Sequence, residues 1–308
     1  MVRKKAQNRV RECTADRIFN VVNVILMCIV LVIMLYPLWF VLIASFSDPV
    51  QVSMGKVTLL PQGFSLDAYK YCFQEEQIWT GYRTTIIFTV CGVLYNLALL
   101  LPAAYAISRK KMAGNTLVQW YFLFTMFFSG GMIPGYLLIK NLGLLNSLPV
   151  LFIGGLSVGD LVVTRTFFSS SIPRDLYESA EIDGATEFQM FIKVALPLST
   201  AIIAVEILYF AVSLWNNFFS AMIYISDADL FPLQLVLRNI LIQNQSLLNS
   251  VDFASLPPEM KSMMEYRSKL AQVMKYSIIY IASAPLLIAY PFVQKHFVKG
   301  VMIGALKG

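Results

Sequence analysis

Residues 18–47 read IFNVVNVILMCIVLVIMLYPLWFVLIASFS, thirty consecutive positions without a charged side chain. A helix rises about 1.5 Å per residue, so roughly 20 apolar residues cross a hydrocarbon core about 30 Å thick. This stretch is long enough to span, too long for a signal-peptide core, and followed by no small-residue cleavage site, so it is expected to stay in the mature protein. Outward from it, residues 84–108, 112–139 and 276–294 are also free of charge, and two further windows carry one acid each: 141–164 around Asp160 and 194–226 around Glu206.

Six spans are therefore predicted, at 18–44, 84–108, 115–138, 148–168, 198–224 and 275–295, in an all-α polytopic membrane protein. Composition agrees: 57% of the 308 residues are hydrophobic and 14% charged, where an ordinary soluble domain carries about 25% charged residues. A soluble enzyme and a secreted disulfide scaffold are excluded. An outer-membrane barrel would alternate apolar and polar residues in segments of about ten instead of running unbroken.

The net charge of +6 is a topology signal. Fifteen of the 24 Lys and Arg residues fall before span one, between spans two and three, between four and five, and in the tail; nine fall on the opposite side. Basic loops stay in the cytoplasm, which places both termini there. Cys13, Cys28, Cys72 and Cys91 are scattered, Cys72 alone in an external loop, so neither a disulfide nor a metal site is expected. The single histidine, His296, lies at the inner end of span six and is read as an interfacial side chain.

The chain then divides into a cytoplasmic arm (1–17), one six-helix membrane domain (18–296) and a cytoplasmic tail (297–308). The first external segment, 45–83, carries turn and cap chemistry at Asp48-Pro49, Pro61-Gln62-Gly63 and Ser65-Leu66-Asp67. Gly130, Gly131 and Pro134 weaken span three, either as a break within the membrane or as a surface turn at its outer end. The external 227–274 segment contains an amphipathic stretch, Leu233 to Leu241, whose apolar face needs a partner.

The cytoplasmic loop 171–197 reads SIPRDLYESAEIDGATEFQMFIKVALP. Ser171 can cap a helix, Pro173 suits its first turn, Gly184 can end it in a left-handed conformation, and Thr186 can start another. Leu176 and Ala180, then Phe188, Phe191 and Ile192, give each short helix an apolar side. A stiff two-sided element where a polar loop would suffice calls for a docking partner.

Glu178-Ser179-Ala180, Gly184 six residues after the glutamate, and Leu196-Pro197 resemble the EAA signature of permease subunits in bacterial binding-protein-dependent ABC importers. Ser179 replaces the middle alanine of the signature, and Ala195 precedes a slightly shifted ending. Asp16 to Asn20, Tyr36-Pro37, Met132 to Asn146, Trp215-Asn216-Asn217, Phe231 to Arg238, Phe297 to Gly300 and Lys307-Gly308 extend the resemblance to the carbohydrate branch and its LplC/YtcP-like subgroup. It implies a type I ABC importer permease fold in the bacterial cytoplasmic membrane. It also implies half of a heterodimeric pore, with a second permease subunit, two ATPase subunits and an extracellular or periplasmic solute-binding protein delivering an oligosaccharide. In the maltose relative the tail corresponding to 300–308 reaches between the ATPase subunits.

On that resemblance Glu178, Ser179, Ala180, Asp183, Gly184, Ala185, Leu196 and Pro197 form the ATPase-coupling element, with Glu178 expected to fix the loop by a charge-assisted hydrogen bond to its own second helix or to the ATPase. ATP and Mg belong to the partner ATPases; this chain lacks a P-loop, is expected to bind no cofactor, and is read as a transport subunit, not an enzyme. Trp215, Asn216, Asn217 and Phe218 combine amides with aromatic rings at membrane depth, which suits either a sugar path or bonding to a neighbouring helix. Asp160 and Glu206 admit a competing reading, a secondary transporter or channel using them as a coupling pair. An ABC permease for a non-sugar solute is the other alternative.

Overall fold

The computed structural model describes residues 13–109, 112–154, 156–250 and 257–305. The arm before Cys13, Lys110, Lys111, Gly155, the loop 251–256 and the end of the tail with Lys307 lie outside the described residues, as does the side chain of His296. Among the described residues the structure is helical, with one isolated β-bridge between Ser47 and Phe64. The chain forms two compact units, one from Met1–Lys70 and Val251–Ile278, the other from Tyr71–Ser250 and Ile279–Gly308.

In the first unit the apolar run at 18–47 becomes α1, Thr14–Ser45. Its apolar side chains from Ile18 to Trp39 are exposed, which suits contact with lipid tails because the helix satisfies its own backbone. The chain then turns back on itself. Asp48 caps the short α2, Pro49–Ser53, by accepting from the N–H groups of Val50 at 2.8 Å and Gln51 at 3.2 Å. Ser65 and Asp67 open α3, Asp67–Gln74, and Tyr69 stacks on Phe46 while its hydroxyl donates to Ser45 at 2.9 Å.

The second unit is built around α4, Glu76–Ser108. The next helices are α5, Asn115–Phe127, and α6, Met132–Asn141, which meet at a 112° bend. A single helix over 115–138 is thus corrected to a broken pair. Gly131 adopts φ +84° at the break, a conformation cheap only for glycine.

The expected span at 148–168 is also shorter than its window. A 3₁₀ turn at Leu148–Leu151 and irregular chain precede α7, Val158–Ser170, which Ser157 caps. The coupling loop forms α8, Arg174–Ile182, and α9, Glu187–Met190; a π-helical turn, Phe191–Ala195, then leads into α10, Leu196–Leu198. The fifth span splits in turn into α11, Thr200–Trp215, and α12, Phe219–Tyr224, with Asn216 to Phe218 between them.

The amphipathic stretch becomes the start of helix α13, Leu233–Ser250, and finds its partner in α4: Leu233, Leu235, Val236 and Leu237 are buried and α13 packs on α4. Its first N–H, at Leu233, donates to the Thr85 hydroxyl at 2.8 Å. The last helix, α14, runs Pro258–Ala305, so the helix that carries the expected span at 275–295 begins well before residue 275.

Helices α4, α7 and α11 pack together as the centre of this unit. Gly92 permits the approach, since a Cβ there would lie 2.6 Å from Leu214 and 2.8 Å from Phe152. Among the described residues three helices are long and apolar enough to cross a membrane, α1, α4 and Met260–Pro291 within α14, and up to five spans result if each of two bent pairs counts as one. The fourth expected span, around α7, has only 13 helical residues, about 20 Å of helix.

Candidate coupling loop and cavity

The 171–197 loop folds as a helix, a tight turn and a second helix. Ser171 does not cap α8 as its position suggests. It ends α7, its N–H donating to Phe167, and Pro173 stands at the start of α8 with φ −58°. At the other end of α8 Gly184 has φ +78°, its N–H donates to Glu181 at 3.0 Å, and the N–H of Ala185 donates to Ala180 at 2.9 Å.

This pair of bonds is a Schellman turn, which satisfies the last carbonyls of a helix. Ala180 and Ala185, the residues it bonds across, are both half-buried against the same apolar cluster. The motif therefore has a local reason: a small residue before the turn, glycine at the left-handed position, and a small residue after it. Thr186 then starts α9, accepting from Gln189 N–H at 3.3 Å while the Gln189 side chain accepts from Thr186 N–H at 3.0 Å.

Arg109, at the end of α4, braces both sides of the turn. Its guanidinium donates to Glu181 at 2.9 Å on α8 and to Glu187 at 3.2 Å on α9. It also lies 4.4 Å from the centre of the Tyr177 ring, and Tyr105 donates to Glu187 at 2.9 Å. Partial burial disfavours the Arg109 cation, but hydrogen bonding to Glu187 and the charges around it outweigh that and raise its pKa.

The charge-assisted bonds within the turn are those of Glu181 and Glu187 with Arg109, not one from Glu178 to the second helix. Glu178 is exposed, as are Ser179, Asp183, Gly184 and Pro197. Ile182 and Phe188, at 87% and 73% exposure, project from the two sides of the turn as the most exposed apolar side chains of the loop. Beyond α9 the π-helical turn and Pro197 lead to an 80° bend into α11. Pro197 has no N–H to continue the ladder, which fits a sharp change of direction there.

Higher along α11 a cavity of about 1010 Å³ opens. Its wall includes Asn96 on α4, Ser157 and Asp160 on α7, Tyr209 and Ser213 on α11, and Asn217. The structure separates the four residues of the aromatic and amide cluster. Trp215 is 4% exposed, and its indole N–H donates to the Ala282 carbonyl at 2.9 Å, a packing arrangement. Asn216 donates back to Val212 at 2.9 Å, Phe218 is partly exposed under Arg238, and Asn217 lines the cavity.

Asp160 and Glu206 are also separated in role. Asp160 lies on the cavity wall in the first turn of α7. Glu206 is fully buried and accepts from the Thr164 hydroxyl at 3.0 Å, with its other carboxyl oxygen unpartnered. Sequence reasoning missed Arg109, Glu181 and Glu187; the only linear signal was a charged triplet, Arg109-Lys110-Lys111, facing an acid-rich loop.

No family model matches the chain. It is 36% identical over 297 residues to Protein LplC of Bacillus subtilis (strain 168), covering 96% of each chain. It is 35% identical over 297 residues to the polygalacturonan/rhamnogalacturonan transport system permease protein YtcP of the same organism, covering 95% of this chain and 99% of that one. Among solved structures, a chain of a bacterial ABC transporter involved in the import of the acidic polysaccharide alginate matches with a TM-score of 0.80 and 31% identity, over 94% of this chain and 100% of that one.

Proposed function

The chain belongs to the permease subunits of ABC importers, and from that premise we propose that it forms half of a translocation pore for an oligosaccharide. It crosses the bacterial cytoplasmic membrane six times with both termini inside, the fifteen-to-nine basic asymmetry setting the orientation. A second permease subunit completes the pore, two ATPase subunits bind ATP and Mg, and a solute-binding protein delivers the sugar. The chain itself performs no chemistry on its cargo.

The observation that carries this reading is the braced turn at 174–190. Ile182 and Phe188 are presented to a partner while Arg109 holds the turn to α4. A helix pair so held transmits displacement, where a flexible loop would absorb it. The coupling element is 178–197, with Glu178, Ser179, Asp183 and Gly184 toward the ATPase. The cavity with Asn217 on its wall is this chain's share of the sugar path, Trp215 and Asn216 holding its frame.

Gly184→Val tests the assignment. A Cβ at Gly184 meets nothing within 4 Å, so the cost comes from φ +78° alone, about 1–3 kcal/mol for a β-branched residue. The variant is expected to insert and pair with its partner permease but lose ATPase association or substrate-stimulated hydrolysis. Wild-type uptake and stimulation would refute the coupling role.

A further inference from the structure

We propose that the cavity selects against anionic sugars, that the imported oligosaccharide is uncharged, and that Asp160 sets this preference; the inference rests on the cavity belonging to the transport path, as proposed above. The wall offers Asn96, Ser213, Asn217, Ser220 and tyrosine hydroxyls, all neutral hydrogen-bonding groups. Asp160 contributes a carboxylate, and no Lys or Arg lines the cavity among the described residues. A uronate entering this space meets like charge and finds no counterion.

The start of α7 sharpens the point. A helix N-terminus attracts anions through its free N–H groups and dipole, and α7 begins on the cavity wall at Ser157, whose hydroxyl accepts the Asp160 N–H at 3.4 Å. Asp160 stands in this first turn, so an acidic sugar approaching the end of α7 meets a carboxylate there. Glu206 lies behind the wall, bonded to Thr164 one turn further along α7. It adds a second carboxyl and no base.

Neutral sugar hydroxyls suit what remains, since amides and hydroxyls exchange hydrogen bonds with them and aromatic rings such as Tyr209 and Tyr224 cover their apolar faces. Two of the similar proteins are named for polygalacturonan and alginate, which are acidic polymers. The charge of this cavity separates the present chain from such cargo.

The test uses the purified importer, this chain with its partner permease and ATPases, without the binding protein, whose own selectivity would intervene. It is incubated with an equimolar mixture of free-acid galacturonan oligosaccharides, their methyl esters and galacto-oligosaccharides of matched length, and the retained sugars are weighed by mass spectrometry. Neutral sugars should exceed acids at least tenfold, as expected for like charges sharing a cavity. Asp160→Asn should bring the ratio toward one, and Asp160→Glu should preserve it, which a purely helix-stabilising role would not produce. Retention of free acids on a par with esters, or an unchanged ratio in Asp160→Asn, would overturn the charge rule. Retention of no sugar of either kind, both in this assay and when the binding protein is added back, would instead overturn the oligosaccharide reading beneath it.

Discussion

Arg109 is the residue on which the cytoplasmic face turns. Its planar fork reaches carboxylates on both sides of the Gly184 turn, a geometry that a lysine point charge cannot reproduce. Arg109→Lys should keep the fold yet loosen the turn, and Arg109→Ala should leave Glu181 and Glu187 without their cation. The expected result is intact insertion, faster proteolysis within 174–190 and about a tenfold loss of substrate-stimulated ATP hydrolysis, equal to about 1.4 kcal/mol. Stimulation equal to wild type in both variants would show that the brace is dispensable. Gly92 makes a different kind of demand: a side chain there would collide with Leu214 and Phe152. Gly92→Val should cost about 1–3 kcal/mol by overpacking, read as a lower midpoint of thermal unfolding in detergent, and an unchanged midpoint would mean that α4 and α11 can separate freely.

At the scale of elements, the bends matter more than the helices. Asn146 sits at φ 57°, where asparagine is tolerated, and its side-chain oxygen accepts from the N–H groups of Ser226 at 3.1 Å and Asp227 at 2.9 Å. Its own N–H donates to Tyr224, so this one residue ties the segment after α6 to the end of α12. Asn146→Ala removes both acceptor bonds and leaves a strained backbone. A loss of about 1–3 kcal/mol and increased hydrogen exchange at Ser226 and Asp227 are expected; unchanged exchange would sever the tie.

The α8–turn–α9 unit was legible because its signals are local: Pro173, Gly184 and Thr186 act on neighbours within a few residues. The bend at Gly131 was open in the sequence, since glycines and a proline fit a surface turn as well as a break. The Arg109 brace was not legible at all, its partners lying 72 and 78 residues away. The cavity was half legible: polar residues at membrane depth mark Asn217 and Asp160, but only packing decides that Trp215 turns inward to bond Ala282.

For the whole molecule, orientation is the outstanding measurement. Cys72 is a poor reporter, being fully buried, with burial pushing its thiol up to about 12, so an impermeant reagent should leave it unlabelled on whichever side it lies. Cys13 and Gln62 are exposed. With both termini cytoplasmic, a cysteine placed at Gln62 should label in intact cells while Cys13 labels only after permeabilisation. The reverse pattern would invert the topology.

One helix, α4, contributes Asn96 to the cavity wall and ends at Tyr105 and Arg109, which grip the coupling turn. Thermodynamic linkage turns this shared shaft into a reciprocal statement. If a sugar in the cavity strengthens ATPase binding by some factor, bound ATPase must strengthen sugar binding by the same factor, because both are legs of one closed cycle. The two affinities, each measured with and without the other ligand, should therefore shift together in wild type and shrink together toward unity in Arg109→Ala, making the end of α4 a place where cargo occupancy and motor engagement are settled in a single equilibrium.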